Sequence, residues 1–260
     1  MLIKVSKNTI GYIKILLKSP KAVFNNLTNW SNSLIDPTNY YLDAFRYFYF
    51  RLPFKLRAHK NYFNKNARGF GEKAFHSMWY LLYRKYQFIN FLEIGVYRGQ
   101  TISLVALIAK LTNHKINVYG ISPFDSSGDA MSAYIQIDYL KDVLLNFEKF
   151  LLPSPNLTKA YSTDELAKKV IRSTVWDCIY IDGSHDYEVA KQDWLICSAH
   201  IKVGGIIVMD DASLFTTFNP PFFAFKGHPG PSKVAGEIDA DKNFKEILRV
   251  GHNRVFEKVK

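Results

Sequence analysis

From residue 88 to the end of the chain, short apolar runs alternate with amphipathic stretches, and that order admits few architectures. The runs are Phe88–Ile94, Asn117–Ile121, Asn156–Tyr161, Trp176–Ile181 and Gly204–Met209. Their length and β-branched content predict strands, and the nearly uninterrupted apolar character of Trp176–Ile181 suits a strand covered on both faces. Between them, apolar residues recur at helical spacing over Gly99–Leu111, Tyr134–Leu152 (stopped by Pro153 and Pro155), Thr163–Ile171, Asp186–His200 and Ser232–Ala240. Phe244–Val250 and Val255–Val259 read as a closing antiparallel pair. Five strand-then-helix units imply an α/β fold with a Rossmann-like, doubly wound, mostly parallel sheet.

Residues 1–70 are different: basic, aromatic-rich, mainly helical by pattern and without the alternation, so they read as an N-terminal extension to a domain over 71–260. The net charge of +11 is concentrated there. Met1–Phe88 holds 15 Lys/Arg against three acids, whereas Ile89–Lys260 holds 19 against 20. An extension of this kind points to an anionic surface, partner or substrate without identifying nucleic acid. Its densest basic stretch, Arg51–Lys60 with Lys65 and Arg68, is interleaved with aromatics, and Thr9–Lys18 is a short amphipathic helix candidate. Peripheral contact with the inner face of a membrane is one expectation, a solvated basic face the other. No apolar run is long enough to span a bilayer, and Cys178 and Cys197 sit in apolar stretches, which favours a reducing, cytoplasmic setting.

Two constellations carry chemistry. The first is Phe91-Leu-Glu93-Ile-Gly95-Val-Tyr-Arg-Gly99, a strand running into a glycine-bearing turn that opens a helix. Glycines there let backbone come close to a ligand, and the helix start offers free N–H groups. A dinucleotide fingerprint would place its first glycine where Glu93 stands. A carboxylate at that point repels a pyrophosphate and suits a cationic ligand bearing an ammonium or sulfonium group.

The pattern E-x-G-x-x-x-G after the first strand resembles the SAM-binding motif of class I methyltransferases, and the resemblance covers roughly Phe70–Lys260. It implies a seven-stranded sheet and S-adenosyl-L-methionine as cofactor, with Glu93 and Gly95 near the methionine moiety and Gly99 beside the adenosine. The acid that the family uses at the end of the second strand is replaced here by Gly120-Ile121-Ser122, which leaves Ser122 or Asp125 for the ribose. Ser162 falls at the adenine side.

The second constellation joins distant segments. Asp182-Gly-Ser-His185 closes the fourth strand and Asp210-Asp211 the fifth. Ligands of open parallel sheets bind beyond the carboxyl ends of the strands, so adjacent strands would bring these acids together around a cation. All-oxygen ligation suits Mg²⁺. The spacing is similar to that of the metal-dependent sugar O-methyltransferases of macrolide and aminocoumarin biosynthesis and of the cephalosporin-hydroxylase-type group. That resemblance implies Asp182, Asp210 and Asp211 as metal ligands, Asp182 also bordering the cofactor, and His185 as general base.

These expectations amount to a SAM- and Mg²⁺-dependent O-methyltransferase acting on a hydroxyl of a sugar, glycan or glycosylated small molecule, with a homo-oligomer left open. The rival readings are an RNA methyltransferase using the basic extension and a non-catalytic scaffold that keeps the fold. The loop Phe215–Gly230 has the length and aromatic content of a lid. Its string Asn219-Pro-Pro-Phe222 lies past the fifth strand, where a nucleic-acid methyltransferase motif would not stand. His228 in that loop reads as packing under it.

Overall fold

A computed structural model describes residues 37–126, 135–220 and 225–260. The candidate helix Thr9–Lys18, the start of the predicted helix at Tyr134 and the tip of the aromatic loop, residues 221–224, lie outside the described residues.

The chain runs α1 (Pro37–Tyr49), α2 (Phe54–Phe63), a short 3₁₀ turn (Lys65–Ala67) and α3 (Lys73–Tyr86) before the alternation begins. Then follow β1 (Asn90–Ile94), α4 (Gln100–Leu111), β2 (Asn117–Ser122), α5 (Tyr139–Lys149), β3 (Asn156–Lys159), α6 (Glu165–Arg172), β4 (Trp176–Ile181), α7 (Tyr187–His200), β5 (Ile201–Met209), α8 (Pro229–Ile238), β6 (Phe244–Val250) and β7 (Asn253–Lys258). The seven strands form one sheet in the order β3-β2-β1-β4-β5-β7-β6. The first five pair in parallel, and β7 runs antiparallel between β5 and β6. Strand order reverses beside β1, which creates the crevice where such sheets bind ligands.

Period-two alternation divides the apolar residues between two layers. Phe91, Cys178, Tyr180, Ile206 and Val208 face a core shared with α1 to α5, while Leu92, Ile94, Ile179, Ile181, Ile207 and Met209 face α6 to α8. Leu42, Tyr49, Leu52 and Leu56 belong to the first of these cores together with Trp79 and Phe91. The segment 37–70 therefore shares a core with the sheet.

The basic stretch 51–68 divides by burial. Arg51 and Lys55 are exposed, but Lys60 is buried, donates to the carbonyl of Gly71 at 2.7 Å, and has its pKa lowered to about 8 by burial. Strand β5 begins at Ile201, earlier than Gly204 and Gly205 suggest, because pairing of Trp176 with Ile201 recruits these residues across a register shift. Among the described residues, no helix is long and apolar enough to cross a membrane.

Candidate active site

The parallel ladder continues past the ends of three strands and fixes the site. Gly95 N–H donates to Ile121 O at 2.9 Å, Asp182 N–H to Ile94 O at 2.9 Å, and Asp210 N–H to Ile181 O at 3.0 Å. Residues 95, 182 and 210 are thus aligned at one edge by backbone hydrogen bonds. Gly95 has φ +94°, and a Cβ there would lie 1.8 Å from the carbonyl oxygen of Asp182. The close approach that requires glycine is therefore to the end of β4. Gly99, at φ +79°, caps the N-terminus of α4. Its neighbours Gln100 and Thr101 line the adjoining cavity.

A cavity of about 880 Å³ opens along this edge. Glu93, Gly95, Ser122, Asp125, Ser162, Asp182, His185, Asp210 and Asp211 all line it. On the other side its wall comes from the segment before the sheet, through Phe70, Phe75, His76 and Trp79.

Glu93, buried on β1, is part of the cavity wall. Burial raises its carboxyl pKa to about 8; a backbone hydrogen bond from Ile102 works against the rise and the charge of Asp210 adds to it. Its Oε2 has no hydrogen-bond partner among the described residues. A cationic ligand would satisfy that orphaned oxygen and draw off the proton, which fits the methionine end of SAM. The neighbouring start of α4 adds free backbone N–H groups.

The aspartates gather close by, near enough for Asp182 and Asp210 to interact electrostatically with Glu93. Asp182 and Asp210 are hydrogen-bonded to each other, and burial with mutual repulsion holds the Asp182 carboxyl well above its ordinary pKa. Asp210 is also raised, by burial first. Burial pushes Asp211 in the same direction, but the hydrogen bond with His185 and the charges of His252, His185 and His228 outweigh it and leave that carboxyl low. The backbone of Asp211 lies at φ +51°, an uncommon conformation held by His228 N–H and Ser232 Oγ–H, both donating to its carbonyl.

His185 stands in the turn between β4 and α7, one residue before the N-cap Asp186, whose side chain accepts from the N–H groups of Glu188 and Val189. Its Nε2 is 2.9 Å from Asp211 Oδ2. His228 packs against the loop residue Phe225, with ring centroids 4.9 Å apart, and also lines the cavity, its ring centroid 3.9 Å from that of His185 and its Nε2 3.9 Å from Asp211 Oδ2. His252, in the β6–β7 turn, faces the acids with Nε2 3.3 Å from Asp210 Oδ1 and 3.8 Å from Asp211 Oδ1. Two sets of possible metal-ligand atoms result, His185–Asp211–His228 and Asp210–Asp211–His252, each within 4.8 Å. His252 has no local motif. The signal lay in β7 pairing, because Arg254 opposite Met209 brings residue 252 beside the strand end that carries Asp210 and Asp211.

Residues 92–212, which hold both constellations, match the family described as methyltransferase domain. Similar folds occur among solved structures. A Staphylococcus aureus protein provisionally assigned as a caffeoyl-CoA O-methyltransferase aligns with TM-score 0.60 and 12% identity, over 86% of this chain and 99% of that one. An SAH-bound methyltransferase of Podospora anserina gives 0.58 and 16%, over 80% and 89%. A Bacillus cereus O-methyltransferase in complex with SAH gives 0.52 and 15%, over 79% and 89%. Among curated sequences, an uncharacterized protein of Acanthamoeba polyphaga mimivirus is 28% identical over 159 residues, 59% of this chain. The match spans 62% of that relative's length.

Proposed function

We propose that the chain is an O-methyltransferase that moves the methyl group of SAM to a hydroxyl of a sugar, glycan or glycosylated small molecule. The observation that carries this reading is the single cavity joining Glu93 and the α4 start to Asp182, Asp210, Asp211 and His185. Glu93 suits a cationic cofactor, and the neighbouring aspartates with His185 suit a hydroxyl that must lose a proton. SAM supplies an activated methyl group bound to a cationic sulfur. The O-methyltransferase descriptions of the S. aureus and B. cereus structures agree in reaction class.

Ser122, Asp125 and Ser162 on the cavity wall are the candidates for the nucleoside end, with Gln100 and Thr101 beside them. Asp182, Asp210 and Asp211 would hold a divalent cation, and as an all-oxygen set they would favour Mg²⁺. A bound cation acts as a Lewis acid that makes a nearby hydroxyl more acidic. His185 takes that hydroxyl's proton: an imidazole with an ordinary pKa of about 6.5 is suited to do so near neutral pH. The hydrogen bond to Asp211 orients its ring and stabilises the imidazolium that forms. Phe70 and Phe75 supply apolar faces against which a sugar ring can stack. Apart from its chemical groups, the protein's main contribution is placement of the two reactants.

Asp210→Asn and Asp211→Asn test this assignment. Each should lower methyl transfer to hydroxyl acceptors by about 10²-fold or more, on the scale of losing a catalytic electrostatic contact, while SAM affinity by calorimetry stays within about threefold. A chelator should have the same effect on the wild-type chain. Full activity in both variants would remove the acids from the reaction, and loss of SAM binding would make them part of the cofactor pocket.

A further inference from the structure

The cation centre just proposed rests on carboxylates alone, but the chain places a second kind of donor against them. His252 Nδ1 is 3.4 Å from the carbonyl oxygen of Phe225, an acceptor that can be met only by an N–H. With the proton on Nδ1, the Nε2 lone pair points toward Asp210 Oδ1 at 3.3 Å and Asp211 Oδ1 at 3.8 Å. Asp210 Oδ1 is buried and has no hydrogen-bond partner among the described residues. A lone pair and two carboxylate oxygens facing one point repel one another unless a proton or a metal cation lies among them. An imidazole whose other nitrogen is tied to a backbone carbonyl is the usual arrangement of a metal-ligating histidine.

The ring is held in that position by its surroundings. Phe75 packs edge-on at 4.7 Å between centroids, and the His252 carbonyl accepts the N–H of Ala212 at 2.9 Å, which ties the β6–β7 turn to the residue after Asp211. His252 is mostly buried, with 14% of its side chain exposed.

We propose that His252 completes a mixed imidazole–carboxylate metal centre with Asp210 and Asp211, and that this centre takes a divalent first-row transition ion in preference to Mg²⁺. The inference rests on the cation role given to these acids above and adds a nitrogen ligand to it. Oxygen donors alone suit Mg²⁺; an imidazole raises affinity for transition ions, which Mg²⁺ with its strongly held water shell does not match.

The test uses the full chain stripped with a chelator and Mn²⁺ as the probe. Electron paramagnetic resonance counts bound Mn²⁺ while Mg²⁺ is added as competitor, and spin-echo modulation reports ¹⁴N in the coordination shell. The expected result is one Mn²⁺ per chain with nitrogen coupling, displaced by Mg²⁺ only at about tenfold excess or more. His252→Ala should abolish the coupling and weaken Mn²⁺ binding about 10- to 100-fold, while Mg²⁺ affinity moves less than about threefold. His252→Gln, which keeps bulk in the turn, repeats the measurement if the alanine variant fails to fold. Bound Mn²⁺ without nitrogen coupling, or coupling that survives in the variant, overturns the role of His252 and leaves the carboxylate centre standing. Failure of both ions to bind overturns the centre itself.

Discussion

A carboxyl group sealed from water beside another acid gives up its proton reluctantly, and Glu93 is in that position. Its pKa is raised to about 8 by burial and by the charge of Asp210, against a backbone hydrogen bond from Ile102. The sign of the consequence follows from linkage. In the unfolded chain Glu93 ionises near its ordinary value, whereas the folded, ligand-free chain must keep the proton, so stability falls as pH rises from the ordinary carboxylate range toward about 8. Asp182 and Asp210, also raised, act in the same direction. Glu93→Gln removes one of these contributions. Melting curves of the ligand-free variant should match wild type near pH 4.5 and lie above it at pH 8.5. SAM binding should weaken about tenfold or more, because a neutral amide replaces a charge-assisted contact worth roughly 1.5–3 kcal/mol. A variant that melts below wild type at pH 8.5 would mean that the carboxyl is not buried in its neutral form.

At the level of elements, three helices meet in a chain of buried polar groups. His76 on α3 reaches His59 on α2 at 3.1 Å between Nε2 and Nδ1, and His59 Nε2 reaches Ser103 Oγ on α4 at 2.9 Å. The Ser103 hydroxyl donates to the carbonyl of Gly99, so its oxygen accepts from His59 Nε2–H, and His59 Nδ1 in turn accepts from His76 Nε2–H. Both imidazoles are neutral, His59 with a pKa lowered to about 3 and His76 well below the usual range, each by burial first. Ser103→Ala leaves the His59 N–H buried and unsatisfied, at a cost of about 1–3 kcal/mol. Urea unfolding at neutral pH should show a lower midpoint with an unchanged slope. Because unfolding frees both rings to take up protons, wild-type stability should also fall as pH drops below about 6.5; a flat profile from pH 7 to 5 would contradict neutral buried rings. This chain was not legible in the sequence, since nothing local marks residues 59, 76 and 103 as neighbours. What was legible is what short-range pattern controls: the alternating elements, the start of α7 near Asp186, and the acids at the ends of β4 and β5. The His228 and His252 positions depend on where the α8 start and the β6–β7 turn settle against β5. Long-range pairing fixes that, and local propensity does not.

For the whole molecule, the segment that reads as a separate extension supplies both part of the core and one wall of the active site. Leu42, Tyr49, Leu52, Leu56 and Phe63 are all buried, and Phe70 and Gly69 line the cavity. At ~1.5–3 kcal/mol for each large apolar side chain, these five contribute on the order of 10 kcal/mol, against a net stability of about 5–15 kcal/mol for an ordinary domain. A chain beginning at residue 71 therefore loses an amount comparable to its whole margin and uncovers Trp79 and Phe91. The expected outcome is loss of the cooperative thermal transition and strong binding of a hydrophobic dye, checked by calorimetry and fluorescence on the truncated and full chains. A truncated chain that melts cooperatively within a few degrees of the full one would show that the sheet and its remaining helices form an independent domain, with 37–70 an accessory. The basic charge bears on the same question, because Lys60 is buried against Gly71 whereas Arg51 and Lys55 remain exposed. Any anionic partner would thus meet a surface that is itself packed on the catalytic core, and its binding should be felt at the cavity wall.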